Sequence, residues 1–425
     1  MLDRTKTPAI HRVQDLVLPR PKIHYLDNGI KVYETSLGTQ EVIKLELVYR
    51  AGRPWEHKRL AGRATAALLR EGTAKNSSEQ VAEPIDFYGG TLSIPVNLDT
   101  SNISMYCLAK HFESLLPLVA ELVTKPAFRP GELKNFIERN VRSLEVDLTR
   151  NDVVAYRTIT EKMYGSDHPY GYNSNGSLFR QLQPQDLQTH FNRAYRAENC
   201  TIFVSGWTNE RTISLLNTYL GKRIPNGEAL ETDYSVPIEQ PSKIFTKELS
   251  GVQTAIRVGR RLFNRQHADY AGWYFLNTVL GGYFGSRLMA NIREEKGLTY
   301  NIYSTLDPML FDGYFYVGTE VANEQVGVAL TEIYREMEVL RNELVGEEEL
   351  EMVRNYLLGN LLTLLDGAFN VGDIVKMIVL DELPMSYFDD LVNTIQTMDG
   401  TKLKALAQQY LQKEHLWEVV VGNSL

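Results

Sequence analysis

Apolar residues recur along the chain with two different periods, and the changes from one period to the other outline its elements. Phe112, Leu115, Leu116, Val119, Leu122 and Val123 fall on one face of a helix, as do Val326, Ala329, Leu330, Ile333, Met337 and Leu340. Each set fits the ~3.6-residue period of an amphipathic helix turned toward a core. Ahead of each lies a pair of β-rich runs. "TLSIPVNLD" and "SNISMYCLA" meet around Asp99 and Thr100, and "TYNIYSTLD" and "GYFYVGTEV" meet around Phe311 to Gly313. Branched and aromatic residues in short runs broken by turn residues predict paired strands. Near the start, "KIHYLDNGIKVYETS" predicts a hairpin whose turn is Asn28-Gly29.

The pattern occurs twice. "LQPQDLQTHFNRAYRAENCTIFVSG", ending at Gly206, matches "MDGTKLKALAQQYLQKEHLWEVVVG", ending at Gly422. Leu187 pairs with Leu403 and Gly206 with Gly422, both 216 residues apart (403 less 187, 422 less 206). Each segment reads as an amphipathic helix closed by Tyr195 or Tyr410, then a β-rich run and a glycine. "GELKNFIERNV" from Gly131 and "EEELEMVRNYL" from Glu347 repeat at a similar offset, each after one of the periodic helices. Strands interleaved with helix pairs predict an α+β fold of two homologous domains. Each is expected to be a mostly antiparallel sheet with helices on one face. "RIPNGEALETDYSVPIEQPSK", from Arg223, is rich in proline and acid and lacks periodicity, so it reads as a linker. The expected division is 1–222, a linker at 223–243, and 244–425. Two long repeats are too few and too long for a solenoid.

Composition narrows the functional classes. With 425 residues the chain exceeds one ordinary core, which agrees with two domains. A formal charge of −8 excludes the basic footprint of a nucleic-acid binder. No apolar run reaches the ~18 residues of a membrane span. The opening "MLDRTKTPAIHRVQDLVLPRP" carries charges and prolines where a signal peptide has an apolar stretch. A cytoplasmic location is therefore expected, with the periplasm as the alternative for a trimmed chain. Cys107 and Cys200 lie far apart in apolar runs and are expected to be buried free thiols rather than a disulfide or metal site.

Candidate chemistry concentrates in "VLGGYFGSRLMANIREEKGLTYNIYS". Gly281 and Gly282 end one helix and Ser286 is placed to cap the next. Gly297 stands where a C′ glycine would stop that helix, and Lys296 in its last turn suits the dipole. Arg293 is thus expected near a helix C-terminus and Tyr300 near the start of a strand, both facing one cleft. The plainer alternative makes Arg293 a surface arginine pairing with Glu294 or Glu295, and Tyr300 a half-buried strand aromatic.

This stretch resembles the C-terminal-half signature of the zinc peptidase family that includes pitrilysin, insulin-degrading enzyme and mitochondrial processing peptidase. The matching residues are Gly281, Gly282, Ser286, Arg287, Leu288, Arg293, Gly297, Leu298 and Tyr300. Further matches include "VYRAGRPWEHKRLAGRATAALLREGT", the run from "FYGGTLSIPVN" to "RSLEVDL", and "GSDHPYGYN", so the resemblance spans nearly the whole chain. It implies that Arg293 holds a backbone carbonyl of a peptide and that Tyr300 helps stabilise an oxyanion. One such donor is worth ~3 kcal/mol of barrier.

Catalysis in that family needs H-x-x-E-H on a helix shortly before a Gly-Thr, two histidines for zinc and a glutamate to activate water. Counted back from Gly72-Thr73, those positions hold Arg63, Ala66 and Ala67, which offer no zinc donor. The downstream ligand position falls on Glu145, read as a vestige or a salt-bridge partner on its helix. No two histidines stand three to five residues apart. Glu56-His57 and Glu414-His415 lack partners, His111 stands alone, and His168 before Pro169 reads as a turn residue.

No cofactor is therefore expected on this chain. The resemblance is to the zinc-less, Arg/Tyr-bearing subunit of a bacterial heterodimeric peptidase, inactive alone. Its expected partners are a homologous zinc-bearing subunit and peptide substrates, met in a clamshell chamber. Two alternatives stay open: a structural or assembly protein of the same fold, and a peptide-binding protein or homodimer. The edge-forming run Gly89 to Asn97 is read as an ordinary sheet strand.

Overall fold

The structure, a computed structural model, describes residues 16–423 except 233–234, 237–239 and 248–250. The first sheet contains β1 (Lys22–Tyr25), β2 (Lys31–Ser36), β3 (Val42–Tyr49), β4 (Thr91–Ser93), β5 (Ser101–Leu108) and β6 (Cys200–Gly206), in the order β1-β2-β6-β3-β5-β4. The second contains β7 (Lys243–Lys247), β8 (Gln253–Leu262), β9 (Ile302–Pro308), β10 (Gly313–Ala322) and β11 (Trp417–Gly422), in the order β7-β11-β8-β10-β9. Without β1, the two orders are the same. In each sheet only the first of these pairs, β2 with β6 and β7 with β11, is parallel. The duplication read from sequence extends to register: Glu46 lies opposite Phe203, Arg257 lies opposite Val419, and Phe203 and Val419 are again 216 apart.

On one face of each sheet the helices follow the expected period. Leu115, Leu116, Val119 and Leu122 of Phe112–Leu122 are buried in the first core. Val326, Ala329, Ile333, Met337 and Leu340 of Val326–Asn342 are buried in the second. The expectation of helices on a single face needs correction, because both faces are covered. Helix Asn151–Tyr164, from the first half of the chain, packs on β8 and β11 of the second sheet. Its Ala155, Ile159, Met163 and Tyr164 join Ala255, Tyr314, Tyr316, Trp417, Val419 and Val421 in one core. Reciprocally, helix Gly367–Leu380, from the second half, packs on β2 and β6, with Val375 against Val48 and Phe203.

The physical reason is visible in β3. Its alternation "VIKLELVY" suggests a wet face, yet Lys44 and Glu46 are buried. Their charges are met by the crossing helix. Lys44 Nζ lies 2.6 Å from Asp373 and 3.0 Å from Glu46, and Lys376 Nζ lies 2.7 Å from both Glu46 and Asp373. Paired in this way, polar residues can occupy a covered face.

The stretch after Arg223 runs along the first half. Gly227 donates its N–H to Glu198, Leu230 to Asn199, and the Thr232 hydroxyl donates to the Pro54 carbonyl. At the other end, Leu16 and Leu18 are buried in the second core, and the Arg20 guanidinium bonds Asp389 and the Met385 carbonyl. Both cysteines are free and buried.

Candidate functional site

The segment from Gly281 to Ser304 builds a scaffold around two side chains. Leu288 and Ile292 are fully buried. Arg287 makes a bidentate bond to Glu349 at 2.8 and 2.7 Å, tying the turn to helix Glu347–Leu364. Asn291 donates to both Glu332 and Glu336. These contacts fix a short helical turn, Met289–Glu295, wound with i→i+5 bonds such as Lys296 N–H to the Asn291 carbonyl. Gly297 follows with φ of +61°, the left-handed geometry expected of a C′ glycine, and its successor Leu298 bonds back to Ile292. Ser286 does not cap the turn. Its side chain is buried and its Oγ has no hydrogen-bond partner.

At its rim the scaffold carries a half-buried Arg293 and an exposed Tyr300. They line one cleft of about 660 Å3, with Phe284, Leu298 and Thr299. Tyr300 is 93% exposed, far from the half-buried strand aromatic of the plainer reading. The Arg293 guanidinium stacks 4.5 Å from the Phe284 ring centre and lies 3.9 Å from Glu294. That ion pair is long and at the surface, where it holds a side chain only weakly. Phe284 is itself 62% exposed, so arginine, phenyl ring and phenol form an open, amphipathic rim.

The positions of the zinc motif lie in the other half, on helix Ala61–Leu69. Ala66 is wholly buried. Arg63 donates to the Asn140 side-chain oxygen at 2.8 Å and sits over the Phe179 ring. It is therefore Asn140 of helix Pro130–Asp147 that meets Arg63. Glu145 is exposed on a groove of about 700 Å3 beside Arg142 and Arg180, and makes no ion pair among the described residues. Two alanines and a cation do not fit a zinc ion. Among the described residues, no three His, Cys, Asp or Glu side chains are grouped to hold a metal.

Sequence reading missed the residue that organises this helix. Glu56, noted only as part of an "EH" pair, accepts from the backbone N–H groups of Leu60 and Gly62 at 3.0 and 2.8 Å and from the Tyr172 hydroxyl at 2.8 Å. It caps the helix start. Burial pushes its carboxyl pKa up, and these bonds pull against that shift. Its place, six residues ahead of Gly62, is beyond the usual N-cap spacing. His168 accepts from Tyr170 N–H within its turn, and burial lowers its pKa to about 4. Beside Ala67 a further cleft of about 800 Å3 runs along the edge strand β4, lined by Arg70, Thr91, Leu92 and Arg139.

Residues 181–357 match the family profile described as the Peptidase M16 inactive domain. Over that segment the chain is similar to the M16 inactive domain. A Bacillus subtilis relative, "Uncharacterized zinc protease YmxG", is 22% identical over 81% of this chain and 84% of its own length. A Helicobacter pylori relative, "Non-peptidase homolog YmxG", is also 22% identical, over 89% of this chain and 88% of its own length. The solved M16 inactive domain from Pseudomonas fluorescens superposes with a TM-score of 0.87 at 23% identity, covering 95% of this chain and 98% of that one. The M16 resemblance of the motif and the duplicated two-sheet fold therefore agree. No helix among the described residues is long and apolar enough to cross a membrane.

Proposed function

We propose that this chain is the zinc-less subunit of a two-chain M16 peptidase. It presents Arg293 and Tyr300 to a peptide held at a zinc-bearing partner. The observation that carries the reading is Tyr300, 93% exposed on the rim of a cleft it shares with Arg293. Exposing a large aromatic gives the fold nothing, whereas a contact made only when substrate or partner is present explains it. The buried, hydrogen-bonded surroundings of the motif fix the backbone that carries both groups, which favours preorganised stabilisation of developing charge. The name of the Helicobacter pylori relative, a non-peptidase homologue, fits a chain that does not cleave alone.

The test begins with native capture of the chain from its source cells and identification of what accompanies it. A co-purifying chain of similar size bearing H-x-x-E-H, and peptide cleavage by the mixed pair, is the expected result. Arg293→Ala or Tyr300→Phe should then slow cleavage about 100-fold without releasing the partner's metal. Capture without such a chain, or full activity in both variants, defeats the reading.

A further inference from the structure

At one matched position the duplicated sheets carry opposite charges. In the first sheet that position is Glu46, whose charge is met by Lys44 at 3.0 Å and Lys376 at 2.7 Å. In the second it is Arg257, opposite Val419 as Glu46 is opposite Phe203. Arg257 is only 5% exposed. Among the described residues it has no carboxylate within 4 Å, and its Nε has no partner at all. Nη1 donates to the carbonyls of Ile256 (2.9 Å) and Thr319 (3.4 Å), and Nη2 has one long bond, 3.4 Å, to the Asp152 carbonyl. The Tyr316 ring lies 5.7 Å away. The strand position opposite is Gly318, where a Cβ would stand 2.9 Å from the Tyr303 ring and 3.2 Å from Nη1, so the glycine makes room for both side chains.

This cation lines a cleft of about 340 Å3 that adjoins the Arg293 cleft, the two sharing Gln253, Thr299 and Tyr300. Two carboxylates line it as well, and neither pairs with Arg257. Asp152 is clamped by Arg150 at 3.2 and 2.8 Å. Glu320 makes no ion pair among the described residues, and burial together with Asp152 pushes its pKa up while Arg257 draws it down. Arg150 and Arg257 balance the two acids, so the cleft does not repel an anion. A buried guanidinium with unused donors is costly unless a ligand completes it, and its fork matches a carboxylate.

We propose that the Arg257 cleft is a subsite for a carboxylate of the bound peptide, either its C-terminus or an Asp or Glu side chain next to the segment that contacts Tyr300. This rests on the peptide-binding reading above and adds a substrate preference to it.

The full-length chain is titrated by calorimetry with three N-acetylated octapeptides of Ala, Ser, Leu and Phe: C-terminally amidated, with a free C-terminus, and amidated with one internal Glu. One or both carboxylate peptides should bind about tenfold more tightly than the neutral one, and which of them gains identifies the source. Arg257→Met should level the series. Because Arg257 is buried, the exposed cleft residue Asn301 provides a second variant, and Asn301→Asp should level it too with the fold intact. Equal binding of all three peptides by the unaltered chain overturns the carboxylate subsite and leaves the peptide-binding reading standing. A preference that survives Asn301→Asp, or survives Arg257→Met in a folded protein, overturns it as well. Binding of none of the peptides overturns the carboxylate subsite on this chain and leaves the two-chain reading to its own capture experiment.

Discussion

Arg293 and Tyr300 reach the cleft, the first half-buried and the second exposed, because residues between and around them have been taken up by the fold. Leu288 and Ile292 enter the core, Arg287 locks to Glu349, and Gly297 supplies a left-handed turn. A motif of this kind is legible in sequence because its glycine and arginines obey local rules of capping and turn geometry. The Ser286 expectation failed because tertiary packing, not the helix terminus, decides where that side chain goes. Gly297 offers a direct test. A branched residue at φ of +61° pays a steric cost of about 2 kcal/mol. Gly297→Val is expected to lower unfolding free energy by roughly that amount in a urea titration, and to displace Tyr300 from the Arg293 cleft. An unchanged urea midpoint would contradict the turn.

At the scale of elements, the strands and periodic helices were readable because each period reports a face packed by neighbours in its own half. The crossing helices were not. Nothing local in Gly367–Leu380 marks its contact with β2 and β6 of the other half, and the alternation of β3 pointed to water instead. Lys44, Glu46, Asp373 and Lys376 resolve that conflict as a four-charge cluster. Lys44→Met should cost about 3 kcal/mol, since Glu46 and Asp373 each lose a cation. The pH dependence has a definite sign. Burial raises the Asp373 pKa, but its bonds to Lys376 and Lys44 outweigh this and leave it below 3.8. Its contribution is thus present above the ordinary carboxylate pKa and lost as pH falls through the lower folded value. Burial lowers the Lys44 pKa, but Asp373 and Glu46 outweigh it and leave it above 10.5. That contribution is present below 10.5 and lost as pH rises through the folded value. The stability difference between wild type and Lys44→Met should therefore be flat from about pH 5 to 9 and shrink on either side. A difference that varies steeply near neutrality would show that the cluster is not what Lys44 supports.

For the whole molecule, the exchange of helices makes the two halves mutually dependent. Each sheet has a covered face whose cover lies beyond the 223–243 stretch in sequence, and the Leu16 to Arg20 segment reaches the second core as well. If helix Asn151–Tyr164 leaves, Ala255, Val419 and Val421 lose their covering layer, and Tyr314 loses the 2.8 Å bond to the Tyr156 hydroxyl. Truncating Ile159, fully buried in this contact, to alanine should cost about 2–5 kcal/mol, although it lies in the half opposite the sheet it supports. The chain supplies its own probes of the coupling. Trp55 is buried in the first half and Trp273 in the second. A variant keeping only Trp273 reports the second half, and one keeping only Trp55 reports the first half together with its contact to Phe311. With reciprocal covering, both should unfold in urea at the same midpoint, and Ile159→Ala should move the two together. Two separate midpoints, or an Ile159→Ala shift confined to Trp273, would mean that the halves unfold as independent units and that the crossing helices dock without coupling them. A coupled pair also constrains the site: Arg257 lies beneath helix Asn151–Tyr164, so its cleft exists only when both halves are folded. Loss of carboxylate preference in Ile159→Ala should then track the fraction unfolded at every urea concentration, with no range in which Trp273 remains native and the preference is gone.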